Sequence, residues 1–225
     1  MTLSYVPRVL MAHEDVLEKA ANMTSSESNK INAVEVDGVR FETLVPERML
    51  CLPKKNLVQK LLSFLKFLLP IPPGYLSPEY SVQIGIRITN NTSMPLRFSF
   101  YFTILPELVN AYGPIPLEGG WIRASASLES DYPLAMPGES VTYFPEIKIF
   151  GTWGNRFGLS ITSGDSGTWF FQPLKPGNYQ FRFLYNNQNE KETMYSSVSK
   201  DMNLIEGIWI GEVLTPFVEL NLAQL

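Results

Sequence analysis

The sequence has one cysteine, Cys51, and one histidine, His13, among its 225 residues. A lone cysteine forms no intrachain disulfide, whereas secreted β-rich chains commonly carry one, so the expected compartment is reducing and cytoplasmic. The same scarcity excludes a zinc site built from cysteine and histidine. A Cys-His nucleophilic pair would require His13 and Cys51 to meet from separate segments, and the bland reading is a surface histidine and a buried thiol. No metal and no cofactor is expected. Long apolar runs are also missing. Residues 1–30 place His13, Glu14, Asp15 and Glu18 where a secretory signal needs an apolar stretch of ~7–15 residues, and no export signal is read. A net charge of −4 offers no general attraction to phosphate backbones, so no nucleic-acid partner is expected. There is no phosphate-binding glycine loop, since Gly119-Gly120 alone reads as a turn.

What is present is an ordinary globular composition, 45% apolar and 18% charged, enough apolar surface to offset the entropy of ordering the chain. The length allows one large or two small domains. Residues 1–30 read as a flexible or helical arm, with a short helical candidate at 9–23 followed by a polar stretch. Residues 31–75 read as a β-hairpin plus an amphipathic helix packed on or beside a main domain. The hairpin is expected because two extended runs flank Asp37-Gly38, a pair suited to the positive φ angles of a tight two-residue turn. Residues 76–225 read as that main domain, a β-sandwich.

The helix is expected over 54–69, a stretch without internal glycine or proline that Pro70 stops. At about 100° per residue, Leu57, Val58, Leu61, Leu62, Phe64, Leu65, Leu68 and Leu69 share one arc, with Gln59, Lys60, Ser63 and Lys66 opposite. Between Glu47 and Glu79 there are five bases and no acid. A basic amphipathic helix of this kind lies on an anionic membrane surface or buries its apolar side in a partner, or it packs on its own domain with lysines outward. The partner-binding candidates are Leu57, Lys60, Leu61, Phe64, Lys66 and Leu68.

Beyond Pro70, short β-branched and aromatic runs alternate with breakers. In Tyr80-Ser81-Val82-Gln83-Ile84-Gly85-Ile86-Arg87-Ile88 apolar residues alternate strictly with small or polar ones, the mark of a strand with one buried face. Further runs at 96–102, 121–128, 141–150, 157–162, 168–172, 179–186 and 208–222 bring the expectation to about eight strands. No helical segment long enough for a parallel crossover lies between them, which argues for an antiparallel sandwich. The Ile-Thr-Asn-Asn-Thr-Ser-Met-Pro-Leu-Arg-Phe hairpin, the Met136-Pro137-Gly138-Glu139-Ser140 turn, Leu174-Lys175-Pro176-Gly177-Asn178-Tyr179 and Ile208-Trp209-Ile210-Gly211-Glu212-Val213 together resemble bacterial immunoglobulin-like sandwich domains. The resemblance covers about 80–222. It implies an architecture, carries over no ligand or catalytic residue, and departs from antibody domains, which have a paired-cysteine bridge.

Gly164-Asp165-Ser166-Gly167 resembles the nucleophile segment of chymotrypsin-like proteases, with His13 upstream. It continues with Thr168-Trp169 instead of glycine and proline, and reads as a hairpin connector. A paired-carboxylate enzyme has no distinguishing spacing here: Glu118, Glu146, Asp165, Glu206 and Glu212 all adjoin turn or strand signals. Trp121 and Trp153 sit in glycine-containing stretches, and a loop tryptophan can stack on a sugar or fill a partner's pocket. The ligand-binding candidates are accordingly Trp121, Trp153, Asn155 and Arg156. The expected function is a non-catalytic protein-interaction module. The alternatives are carbohydrate or small-molecule binding through loop aromatics and an enzyme with an unrecognised carboxylate site.

Overall fold

The computed structural model describes residues 32–52, 79–120, 126–152, 156–196 and 199–224, all of them in the unit Asn32–Leu225. In chain order the strands are β1 (Ala33–Val36), β2 (Val39–Leu44), β3 (Met49–Leu52), β4 (Glu79–Val82), β5 (Gly85–Asn90), β6 (Leu96–Arg97), β7 (Ile104–Asn110), β8 (Gly113–Pro114), β9 (Glu118–Gly120), β10 (Leu134–Ala135), β11 (Ser140–Tyr143), β12 (Ile147–Gly151), β13 (Phe157–Thr162), β14 (Thr168–Leu174), β15 (Gly177–Asn187), β16 (Glu192–Ser196), β17 (Asp201–Ile205), β18 (Gly211–Leu214) and β19 (Val218–Gln224). The protein is mainly β. The helix expected over 54–69 lies outside the described residues.

The β1–β2 hairpin forms where the sequence requires it. Asp37 and Gly38 take φ angles of 51° and 73°, and the pairing runs from Ala33↔Glu42 to Val36↔Val39. This hairpin is not peripheral: β2 continues onto β5, giving a four-stranded antiparallel sheet in the order β1-β2-β5-β11. A five-stranded sheet follows the order β4-β12-β13-β14-β9, and a six-stranded one the order β3-β19-β15-β7-β8 with β18 also on β15. Its β3–β19 pairing is parallel. Two small pairs, β6–β10 and β16–β17, complete the described sheets.

A single bent ladder joins two of these sheets. The β5–β11 pairing runs from Ser140↔Thr89 to Tyr143↔Ile86, and the β4–β12 pairing from Ile147↔Val82 to Phe150↔Glu79, so one register holds across the bend. At the bend Pro145 has no N–H to give, and the Glu146 carbonyl accepts Thr162 N–H at 2.9 Å. Strands that bend from one sheet into the next make corners of this kind. Gly85 permits the bend, because a Cβ there would stand 2.6 Å from the Tyr143 carbonyl oxygen and 2.5 Å from the Phe144 ring.

Side chains from all three larger sheets meet in one apolar cluster. Ile84, Ile86 and Ile88 are fully buried, as their alternation predicts. Phe41 of β2 lies 5.3 Å from Tyr185 of β15 and 5.1 Å from Trp209, ring centre to ring centre. Where β18 gives way to β19 the chain passes Thr215-Pro216-Phe217, and a side chain takes over the ladder. Thr215 Oγ1 accepts Phe183 N–H at 2.9 Å, donates to the Phe183 carbonyl at 3.1 Å and meets Thr43 Oγ1 of β2 at 2.6 Å. The run expected over 208–222 is therefore two strands parted by Thr215, Pro216 and Phe217.

Two expectations need correction. Of the run 96–102 only Leu96–Arg97 is a strand; the chain beyond is held by Phe98 N–H to Pro133 O and Phe100 N–H to Asp131 O, at 3.0 and 2.8 Å. The strand β7 was hidden by Pro106 at its middle. Because Phe183 spends its backbone groups on Thr215, the Pro106↔Phe183 pair of the β7–β15 ladder is a non-hydrogen-bonded one, and the proline nitrogen faces an edge where β8 does not reach.

Candidate functional site

The six-stranded sheet has an inner face defined by Tyr179, Phe181, Phe183 and Tyr185 of β15 and by Val218, Leu220 and Leu222 of β19, all buried. Alternation then puts Asn178, Gln180 and Arg182, with Glu219 and Asn221, on the opposite face. Register aligns them: Asn178↔Asn221 and Gln180↔Glu219 across β15–β19, and Arg182↔Glu107 across β15–β7. This outer face is amide-rich and carries both signs of charge.

Along it runs an open groove of ≈ 560 Å³, with Arg48, Asn110, Asn178, Gln180, Glu219 and Asn221 among its lining residues. Each wall has a structural cause. Asn221 N–H donates to the Arg48 carbonyl at 2.7 Å, drawing the approach to β3 against one rim. Asn221 Nδ2 also donates to Asn178 Oδ1. The opposite rim is the β7–β8 turn, where Asn110 Oδ1 accepts Tyr112 N–H at 2.8 Å. That turn leaves Tyr112 98% exposed, one residue from groove-lining Ala111. Beside the groove Arg182 is fixed from two directions: its Nε and Nη2 both reach Glu107 Oε2 at 2.7 Å, and its guanidinium stands 4.2 Å over the Phe217 ring. On the inner face beneath, the Tyr179 hydroxyl donates to the Lys175 carbonyl at 2.8 Å and accepts Lys175 N–H at 3.0 Å, fixing the turn that starts β15.

Among the residues expected to form a site, Leu57, Lys60, Leu61, Phe64, Lys66 and Leu68 lie outside the described residues, as do Trp121, Trp153 and Asn155. Arg156 is described and exposed; its carbonyl accepts Thr152 N–H at 2.8 Å, and it is no part of the groove. The groove residues carried a faint signal in Asn178-Tyr179-Gln180-Phe181-Arg182 and Glu219-Leu220-Asn221-Leu222, whose outward positions hold mostly amides where a merely solvated face would carry mixed lysine and glutamate.

The five acids weighed for catalysis each have a local structural partner. Glu146 pairs with Lys148 at 2.8 Å and Glu206 with Lys191 at 2.5 Å. Glu212 accepts Asn186 Nδ2 at 2.7 Å, and Glu118 accepts Gln172 Nε2 at 3.4 Å. Asp165 is buried inside its own turn, where Oδ1 accepts Gly167 N–H at 3.0 Å and the Ser163 hydroxyl. Ser166 beside it takes a φ of 68°, and Gly164 lies so close to the Phe100 carbonyl that a Cβ would sit 2.1 Å from that oxygen. Gly164-Asp165-Ser166-Gly167 is a tight connector between β13 and β14. Near it, burial pushes the Tyr143 phenol up to about 12, with the Asp131 and Asp165 charges acting in the same direction. Among the described residues no group of three or more His, Cys, Asp or Glu side chains is placed to hold a metal ion, and no helix is long and apolar enough to cross a membrane. No protein-family model matches the chain, and no curated protein matches it.

Proposed function

We propose that this chain is a non-catalytic recognition module, an immunoglobulin-like β-sandwich that binds a neutral, hydroxyl-rich ligand such as an oligosaccharide in the groove on its six-stranded sheet. The observation that carries the reading is the convergence of Asn110, Asn178, Gln180 and Asn221 with Arg48 and Glu219 on one open groove, with a fully exposed tyrosine at its rim. Amide side chains each offer both donors and acceptors, which matches vicinal hydroxyls, and charges of both signs select against a strongly ionic ligand. Tyr112 supplies an apolar ring face on which the C–H face of a sugar can stack. The sandwich reading is supported by larger sheets sharing one core and by the Tyr179–Lys175 bonds, which resemble the tyrosine corner of such folds.

Isothermal titration against neutral oligosaccharides tests this. Binding is expected from the wild type, with Tyr112→Ala weakening it about tenfold, or ~1.4 kcal/mol, and Gln180→Ala by a similar factor, at unchanged circular dichroism. Affinity that both variants retain would place the ligand elsewhere. The protein-partner and anionic-membrane readings rest on the five-base, acid-free stretch between Glu47 and Glu79. Their test is retention of a partner, or sedimentation with anionic vesicles, that Leu61→Glu abolishes.

A further inference from the structure

The β16–β17 hairpin has one anchored side and one open edge. Met194 of β16 and Ile205 of β17 pack with Tyr132 and Ile208 in a small buried cluster separate from the main one. The backbone phase follows from one bond: Tyr195 N–H donates to the Ser127 carbonyl at 2.8 Å, on the side of β16 away from β17. In an antiparallel pair this makes Tyr195↔Met202 and Thr193↔Leu204 the non-hydrogen-bonded pairs. The N–H and C=O groups of Met202 and Leu204 therefore point out of the hairpin along the free edge of β17. Met202 N–H agrees with this, being taken up by its own neighbour's Asp201 Oδ1 at 2.8 Å. Among the described residues no strand but β16 pairs with β17, and this edge displays Met202 at 51% and Leu204 at 61% exposure. An apolar edge strand with outward backbone groups is a template for another strand, and proteins that stay monomeric usually blunt it.

We propose that this edge pairs antiparallel with the same edge of a second copy of the chain, about a two-fold axis at Asn203. The phase leaves few choices, because the outward residues Met202 and Leu204 must face outward residues of the other copy. An axis at Asn203 sets Met202 opposite Leu204 of the second copy, twice, so that four apolar side chains share one face. An axis at Met202 sets Leu204 against Lys200, and one at Leu204 sets Met202 against Glu206. Only the Asn203 axis sets both exposed apolar residues of each copy against apolar residues of the other, as a self-complementary isologous contact requires. Pairing exchanges the local Asp201 bond to Met202 N–H for the Leu204 carbonyl of the second copy and extends the hairpin into a four-stranded ribbon. With five residues per strand the contact falls below the ~1,200 Å² of stable interfaces, so the dimer is weak and concentration-dependent.

Sedimentation velocity of the full chain across the micromolar range reads this out. The wild type should shift from monomer to dimer as concentration rises, and Leu204→Lys should stay monomeric throughout while keeping the wild-type spectrum and melting temperature, since Leu204 is exposed. The register has its own readout in a Cys51→Ser background. Asn203→Cys faces itself across the axis at a Cα separation of about 4.5 Å, inside the disulfide range, and should oxidise to a covalent dimer. Asp201→Cys should not. A wild type that remains monomeric at every concentration, or a dimer that Leu204→Lys leaves intact, overturns the proposal.

Discussion

Thr215 shows how much a single hydroxyl can hold. Its Oγ1 closes a ladder that Pro216 interrupts, bonding both backbone groups of Phe183 and the hydroxyl of Thr43 on a facing sheet. Thr215→Val keeps the shape but leaves Phe183 N–H buried without a partner, and it should cost about 2–3 kcal/mol in urea denaturation. Thr43→Val should cost less, because Thr215 keeps its bonds to Phe183. Asn90 is a comparable case: fully buried, its Nδ2 donates to Met94 O and Ala135 O at 2.8 and 2.9 Å, and its Oδ1 accepts Thr92 N–H and the Thr92 hydroxyl at 3.0 and 2.7 Å. All four of its hydrogen-bonding positions are met, so it fixes the turn that the Asn-Asn-Thr-Ser motif announces. Tyr143 ties residue chemistry to pH. Its phenol is raised to about 12 in the folded protein against about 10 unfolded, and burial pushes the Tyr185 phenol up as well. The unfolded chain therefore loses these protons first. The stability is complete below pH 10 and lost as pH climbs from 10 toward 12, and Tyr143→Phe should flatten that part of the melting-temperature profile.

Among the elements, the bent ladder carries the sharpest prediction. Gly85→Ala drives a methyl into both the Phe144 ring and the Tyr143 carbonyl. The half-exposed ring can swing away, but the carbonyl belongs to the ladder. A loss of about 1–3 kcal/mol is expected by thermal or chemical denaturation. The same scale shows what was legible beforehand. Ile84, Ile86 and Ile88 announced a one-sided strand because their neighbours are small or polar, and Asp37-Gly38 announced its hairpin because few other pairs accept two positive φ angles. β7 was illegible because its proline is tolerated only through a bonding phase that Thr215 sets from a distant part of the chain. β17 was equally hidden, since the alternation in Asp201-Met202-Asn203-Leu204 spans only four residues, all of them exposed, and so marks no buried face.

For the whole molecule, a sequence pattern shows which residues of a strand turn inward but not which outward residues of different strands come together. Asn178 and Asn221 lie 43 positions apart and share the groove only because β15 and β19 pair in register. Tyr112 drew no notice because its turn looks like any other connector until the turn is placed at the groove's rim. Tryptophans in glycine-containing stretches were the stronger sequence signal for a binding site, and Trp121 and Trp153 lie outside the described residues; the groove instead draws Asn110, Asn178, Gln180 and Asn221 together with Arg48 and Glu219, a grouping that only strand register reveals. A titration followed by backbone amide chemical shifts, with a soluble neutral oligosaccharide added to the uniformly labelled full chain, tests the central claim most directly. The account predicts that the resonances of Asn110, Tyr112, Asn178, Gln180 and Asn221 move together and saturate. Shifts that gather instead around Arg156, or no shifts at any ligand concentration, would contradict it.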